Sequence, residues 1–349
     1  MKFIYSLNNI WNYVIIFSFS VIALLLIYPL FSIFFSSFID NESGLFTLQN
    51  YSDILGRRYY RTAIYNSIVV GIAGMVGALI IGIPLAYFTT RYQIKGKSLI
   101  TTLAILALVS PPFIGAYAWI TMLGSNGWLR HLLQNFGIFI PTIYGPFGIV
   151  LVFSLKFYPF VFLLTSGALS TINVSLEDAA DNLGCNPFTK FIRVTLPLVF
   201  PAVSAGALLA FVLSLADFGT PSIIGRNYKV LSTLAYNLYT SEMGGNPGLA
   251  STVSIILILI SLIFVYFQRR LNKRKDYGSS LLNRPTVKKL KKIYSIPVHF
   301  LCYFLVLFSS IPSIVVIFNS FRNTSGPVFK PGFGCLLYTS DAADDRGCV

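Results

Sequence analysis

The sequence predicts an all-α membrane protein, with a first set of six spanning helices and one more helix after them. Three observations favour this fold class. The composition is 55% hydrophobic and 11% charged, apolar runs of spanning length recur, and basic residues cluster between those runs. A soluble globule of 349 residues needs more polar surface than this, so the lipid bilayer is the expected environment.

Seven apolar runs are long enough to cross a bilayer, which takes about 20 residues of helix. We predict spans at 13–38, 64–90, 98–123, 143–170, 198–225, 250–268 and 293–320. The first run is longer than the apolar region of a signal peptide and has no small-residue cleavage site. We therefore expect it to remain as a membrane anchor.

The distribution of Lys and Arg between alternate loops predicts the orientation. With the N-terminus in the cytoplasm, the inner loops hold about twice as many basic residues as the outer loops. Arg91 belongs to one inner loop, and the stretch 269–292 is the most basic of all. This topology explains the net charge of +14 better than nucleic-acid binding does, because the basic residues form no single stripe.

The cysteines and histidines do not indicate a metal site or a disulfide framework. The four Cys residues have no CxxC or Cys/His spacing, and the two His residues, His131 and His299, are far apart in the chain. We therefore predict no catalytic residue and no metal ligand.

The segment 171–197, between the fourth and fifth spans, has the pattern of two short helices joined by a turn. Ser175 is placed to cap the first helix, with Asp178 three residues later in a capping-box arrangement. Gly184 stands where a left-handed residue ends a helix. Nothing about connecting two membrane helices requires such an element, although an ordinary amphipathic connector is the alternative interpretation.

The second short helix has its own signals. Asn186 can cap it, Pro187 suits its first turn, and Pro197 is expected to end it before the fifth span. The adjacent Ala179 and Ala180 leave a face without bulky side chains, which another protein surface could approach closely.

These residues resemble the signature of the permease family of binding-protein-dependent ABC importers. That signature is Glu-Ala-Ala, three residues, Gly, nine residues, Ile, one residue, Leu-Pro. Asp178 replaces its Glu and Val194 its Ile. The resemblance implies that the segment 171–197, here named the coupling loop, contacts an ATP-hydrolysing subunit. The expected contact residues are Glu177, Asp178, Ala179, Ala180, Gly184, Val194, Leu196 and Pro197.

The resemblance also implies partners and a location. We expect a bacterial inner-membrane permease that works with an ATP-binding subunit in two copies and a periplasmic or lipid-anchored solute-binding protein, surrounded by membrane lipid and without nucleic acid. The chain has no Gly-rich loop ending in Gly-Lys-Ser/Thr, so ATP would be bound by the partner and this chain would hold no cofactor.

An internal repeat suggests a second half. Pro29, Phe35, Ser37 and Phe38 match Pro312, Phe318, Ser320 and Phe321 at one constant offset, although two Phe- and Ser-rich spans can match by chance.

We therefore divide the chain into four parts. They are a first permease repeat (1–270), a basic cytoplasmic linker (271–292), the truncated start of a second repeat (293–334) and a tail (335–349) that resembles a translated sequencing adaptor. The seventh helix is expected to lack packing partners from its own repeat, and the first six helices are expected to form a closed set. A half-permease that forms homodimers is the competing hypothesis.

The solute is indicated less clearly. The run 215–221, with Asp217 and Gly219, resembles the ferric-iron branch of the family, and fused halves also fit that branch. Asp217 and Lys156 are ionisable groups within apolar spans and therefore candidates for the solute pathway. Asp217 could instead cap a broken helix, and Lys156 could extend to an interface. Polyamine, thiamine and phosphonate permeases share these features.

Two other classes of membrane protein are disfavoured. Intramembrane proteolysis needs a Ser–His pair or two facing Asp residues, and the spans offer one Asp. A channel would not need a coupling loop, and no filter-like Gly/Tyr repeat is present.

Overall fold

The computed structural model describes residues 10–41, 44–125, 127–172, 175–241, 245–273, 287, 292–325 and 328–333. In chain order its helices are α1 (Ile10–Ser36), α2 (Gln49–Gly56), α3 (Arg58–Arg91), α4 (Lys97–Val109), α5 (Pro112–Leu123), α6 (Trp128–Asn135), α7 (Pro146–Thr171), α8 (Ser175–Asn182), α9 (Pro187–Lys190), α10 (Leu196–Ala216), α11 (Gly219–Ile224), α12 (Leu231–Thr240), α13 (Pro247–Asn272) and α14 (Lys292–Ser320). Two short strands, β1 (Arg322–Ser325) and β2 (Val328–Phe333), form an antiparallel hairpin after α14.

Among the described residues, six helices are long and apolar enough to cross a membrane. They are α1, α3, α7, the continuous helical run 187–216, α13 and α14. Their positions agree with six of the seven predicted spans, so the all-α membrane fold is confirmed. The tail 335–349 and most of the linker 271–292 lie outside the described residues, and the proposed division of the chain stays a prediction.

The third predicted span, 98–123, is wrong as one continuous helix. The chain breaks between α4 and α5, and the helical stretches Lys97–Val109 and Pro112–Asn135 are bent by 104° relative to each other, as in a broken span or a re-entrant loop. Ser110 and Pro111 both have extended backbone, with ψ of 121° and 142°. A residue before proline avoids the helical region, and proline lacks the N–H that a helix interior needs, so the Ser-Pro-Pro sequence at 110–112 ends one helix and starts another.

The chain divides into two compact units, the first of which comprises residues 1–66 and 229–262. Its core includes Ile54, Leu231 and Val253. The amide of Asn50 donates to the carbonyl oxygens of Ser37 and Ile39 at 3.1 and 3.0 Å, which satisfies backbone acceptors at the end of α1. The α1 span has no buried residues, so its apolar side chains are available to lipid.

The second unit comprises residues 67–228 and 263–349, and α7 lies at its centre, packed against α10, α4 and α11. Its core includes Phe153, Tyr158 and Phe162, all fully buried. Glycines allow the helices to approach closely, since a Cβ atom at Gly77 would overlap Ser154 and one at Gly206 would lie 2.7 Å from Val161 Cα.

Helix α14 packs inside this second unit against α4 and α5. Cys302 and Val306 are buried in its core. The Ser309 hydroxyl lies 2.9 Å from the Tyr158 hydroxyl, and Ser310 Oγ donates to the Leu103 carbonyl at 3.2 Å. The expectation that the first six helices form a closed set is therefore wrong, because small and polar residues of the seventh helix contact polar atoms of α4 and α7.

Candidate functional site

The turn of the coupling loop has the predicted left-handed glycine. Gly184 follows α8 with φ of +75°. The Gly184 N–H donates to the Asp181 carbonyl at 2.9 Å, and the Cys185 N–H donates to the Ala180 carbonyl at 3.0 Å. These two bonds are the pattern of a Schellman motif, which ends a helix by satisfying its last carbonyl groups.

The start of α9 also agrees with the prediction. The Asn186 side chain accepts a hydrogen bond from the Phe188 N–H at 3.2 Å, and Pro187 occupies the first turn. The predicted cap by Ser175 concerns the start of α8, next to residues 173–174 outside the described chain, and it stays a prediction.

Pro197 does not end the second helix, which corrects that prediction. Helix α9 continues through a π-helical turn, Phe191–Thr195, directly into α10. A π-helical turn is a single wider turn inside a helix and does not end it. One helical run, from residue 187 to residue 216, therefore joins the loop to the fifth span. The ring of Phe191 packs against Tyr87 of α3 at 4.8 Å between centroids.

Two of the expected contact residues face into the protein. Ala180 is buried, and the Glu177 carboxylate is buried against Arg91, whose Nη2 donates to Glu177 Oε1 at 2.8 Å. Thr195 Oγ1 donates to the same oxygen at 2.9 Å. The Glu177 carboxylate is therefore hydrogen-bonded to partners inside the chain. These bonds favour a structural role for Glu177, in which it holds the loop in place.

Sequence reasoning missed Arg91 and Thr195 as members of this cluster, which we name the Glu177 junction. Arg91 is 86 residues from Glu177 and Thr195 is 18 residues from it. No local pattern relates residues so far apart, and Arg91 counted only toward the charge of an inner loop.

The remaining predicted contact residues lie toward the surface. Asp178, Ala179 and Gly184 are exposed, and Val194, Leu196 and Pro197 are partly buried. Large apolar side chains are exposed beside them, with Leu183 84% and Phe188 71% accessible. The coupling loop therefore presents an apolar surface, as expected of a segment that binds another protein.

The two ionisable groups within the spans form a pair. Lys156 Nζ of α7 donates to Asp217 Oδ2 at 2.6 Å, and the side chains are 15% and 3% exposed. The interpretation of Lys156 as a side chain that extends to an interface is therefore wrong. Asp217 also accepts from the Thr220 N–H at 2.9 Å, so its capping of the short helix α11 after the break is confirmed.

A cavity of about 530 Å³ lies beside this pair. It is lined by both helix breaks, 110–112 and 217–219, and by aromatic rings that include Phe157 and Phe218. Gly219 allows the breaks to meet, because a Cβ atom there would lie 2.7 Å from Pro112 Cβ. Within the described residues, no group of three or more His, Cys, Asp or Glu side chains could hold a metal ion.

Comparison with known proteins gives a consistent family. The sequence profile described as "Binding-protein-dependent transport system inner membrane component" matches residues 78–277. The chain is 32% identical over 246 residues to the ferric transport system permease protein FbpB of Actinobacillus pleuropneumoniae, covering 70% of this chain and 35% of that protein. It is 31% identical over 225 residues to the molybdenum transport system permease protein ModB of Haemophilus influenzae, covering 62% of this chain and 97% of that protein. The chain thus spans about a third of the ferric permease.

A solved structure shares the fold. A bacterial alginate ABC transporter, crystallised with an alginate pentasaccharide-bound periplasmic protein, contains a chain that superimposes with a TM-score of 0.63. The sequences are 18% identical, and the superposition covers 77% of this chain and 96% of that chain.

Proposed function

The chain belongs to the family of binding-protein-dependent transport system inner membrane components, and from this premise we propose that it is a permease subunit of an ABC importer. It would form part of the solute pathway and would respond to ATP hydrolysis carried out by a separate subunit. The exposed apolar surface of the coupling loop, beside Leu183 and Phe188, is the observation that carries this proposal.

The coupling loop is proposed to lie in the cytoplasm on the same side as the N-terminus, with α4 and α5 crossing the membrane together as one bent span, so that four spans precede the loop. The excess of Lys and Arg in the loops on that side supports this orientation. A pair of ATPase subunits would bind the loops of two permease halves, and a solute-binding protein would deliver solute from the opposite side. Residues 293–334 are interpreted as the first part of a second half.

The outward surface of the coupling loop, with Asp178, Ala179, Leu183 and Phe188, is the proposed ATPase contact. A matched pair of substitutions tests it. Leu183→Asp places a charge on the loop, and Phe139→Asp places one on a residue that is 83% exposed in the segment before α7. Helix α7 has 26 residues and is about 39 Å long, so the two sites are far apart.

Each variant permease is reconstituted with the ATPase and binding protein. We expect Leu183→Asp to abolish co-purification of the ATPase and ATP-driven uptake, and Phe139→Asp to leave co-purification intact. Wild-type binding of the ATPase by both variants would contradict the proposal.

Ferric iron is the proposed solute. The ferric permease FbpB is among the similar proteins, and the run 215–221 resembles that branch. Asp217 and Gly219 lie beside the cavity and Lys156 pairs with Asp217, so these three residues are proposed to line the pathway.

Molybdenum in its oxyanion form is the second candidate, because the match to ModB covers nearly the whole of that relative. Uptake of radiolabelled ferric iron and of molybdate by the same proteoliposomes distinguishes the two. Uptake of molybdate alone would exclude ferric iron as the solute.

A further inference from the structure

We propose that Arg91 is a positioning residue for transport, which acts through Glu177 so that the coupling loop, α3 and α10 move together. The inference rests on the proposed function, in which an ATPase subunit moves the coupling loop. Arg91 itself is buried and is assigned no contact with the ATPase or the solute.

The Glu177 junction joins three elements at one oxygen atom. Arg91 is the last residue of α3, Glu177 lies in α8, and Thr195 is the last residue of the π-helical turn. Arg91 Nη2 and Thr195 Oγ1 donate to Glu177 Oε1 at 2.8 and 2.9 Å. Because the Arg91 and Glu177 side chains are 7% and 8% exposed, little water is present to replace either bond when it lengthens.

Stability alone is a poor explanation for an arginine at this place. Among the described residues, the Nε and Nη1 atoms of Arg91 are buried and have no hydrogen-bond partner. Buried donors without partners are unfavourable, and an apolar side chain of similar size often stabilises a protein better than a buried ion pair does. What the ion pair provides is one defined position of α8 relative to α3.

Without the Glu177 junction, the helical run between the loop and the membrane would bend at the π-helical turn. Helices kink at such turns, which are rare and occur often at functional sites. Thr195 ties this turn to Glu177, and Phe191 packs against Tyr87. With the junction intact, movement of α8 is therefore transmitted to α10 instead of being absorbed by the turn.

Helix α10 connects the junction to the candidate pathway. It has 21 residues, which corresponds to about 30 Å. Asp217 follows its last residue and pairs with Lys156 of α7 beside the cavity. One end of α10 is therefore held by Glu177 and the other by Lys156, so a displacement of the coupling loop reaches the cavity through one packed helix.

The test measures solute transported per ATP hydrolysed by the complete permease complex in proteoliposomes. We expect Arg91→Met to lower this ratio about tenfold while the ATPase still binds, since coupling networks of this kind contribute about that factor. The exchanged pair, Arg91→Glu with Glu177→Arg, is expected to recover part of the ratio. Arg57→Met breaks the exposed Arg57–Asp53 pair outside the coupling loop and should leave the ratio unchanged.

A wild-type ratio in an assembled Arg91→Met complex would overturn the inference. If Arg91→Met does not assemble, Thr195→Val is measured instead, because it removes one hydrogen bond from the same oxygen and leaves the ion pair intact. A lowered ratio in Thr195→Val supports the inference and an unchanged ratio refutes it. Absence of ATP-driven uptake by the wild-type complex would instead contradict the proposed function.

Discussion

Lys156 Nζ of α7 lies 2.6 Å from Oδ2 of Asp217, which directly follows α10, although the two residues are 61 positions apart in the sequence. Each would be a costly charge in an apolar span by itself. Their pairing between α7 and the end of α10, beside a cavity lined by two helix breaks, explains how both are retained. The pair is the first feature that substitutions should examine.

We predict that Lys156→Met destabilises the protein by about 3–5 kcal/mol, because it leaves the buried Asp217 carboxylate without its cation. The double variant Lys156→Met/Asp217→Asn should be much closer to the wild type, since the asparagine oxygen can still accept from the Thr220 N–H. Thermal unfolding in detergent measures both. A double variant as unstable as the sum of the single ones would show that the pair makes no specific interaction.

Ala179 and Ala180 are adjacent but should respond differently to the same substitution. Ala179 is exposed, so Ala179→Trp is expected to block ATPase binding and leave the unfolding temperature unchanged. Ala180 is buried, so Ala180→Trp should overpack the loop and lower the stability by about 1–3 kcal/mol or more. Co-purification with the ATPase and thermal unfolding separate these effects. Equal unfolding temperatures for the two variants would contradict the assigned orientation of α8.

Gly184→Val should destabilise the coupling loop through its backbone alone. A Cβ atom at Gly184 would meet nothing within 4 Å, but φ is +75°. In the left-handed region the conformational energy of a residue other than Gly is higher by about 1–2 kcal/mol, and the increase is largest for β-branched residues. Gly184→Asn is the matched control, because Asn tolerates this conformation. Similar stability and ATPase binding for the Val and Asn variants would exclude a backbone effect.

Two helical glycines test the close packing around α7. Gly77→Ala is expected to push α3 away from Ser154 and to destabilise the protein, whereas Gly167→Ala has open space and should be neutral or stabilising by up to about 1 kcal/mol. Thermal unfolding of the two variants provides the comparison. Equal stabilisation by both would mean that α3 and α7 are farther apart than the structure places them.

The sequence by itself determined the features that depend on neighbouring residues. Apolar runs predicted seven spans, six of which are single spanning helices among the described residues, because a span needs only about 20 apolar residues in succession. Gly184, Asn186 and Pro187 predicted the end of one short helix and the start of the next, since capping acts within a few residues. The Ser-Pro-Pro signal at 110–112 is equally local, but the span 98–123 was predicted from its apolar run alone, so the break between α4 and α5 was missed.

Only the tertiary structure decided which distant groups meet. Lys156 and Asp217, Arg91 and Glu177, and Ser309 and Tyr158 are paired across separate helices. It also decided that Glu177 and Ala180 face inward while Ala179 faces out. Each residue type has its own charge and hydrogen-bonding capacity, but the packing of the helices determines which partner it meets. A buried polar group is stable only where packing brings a partner to it.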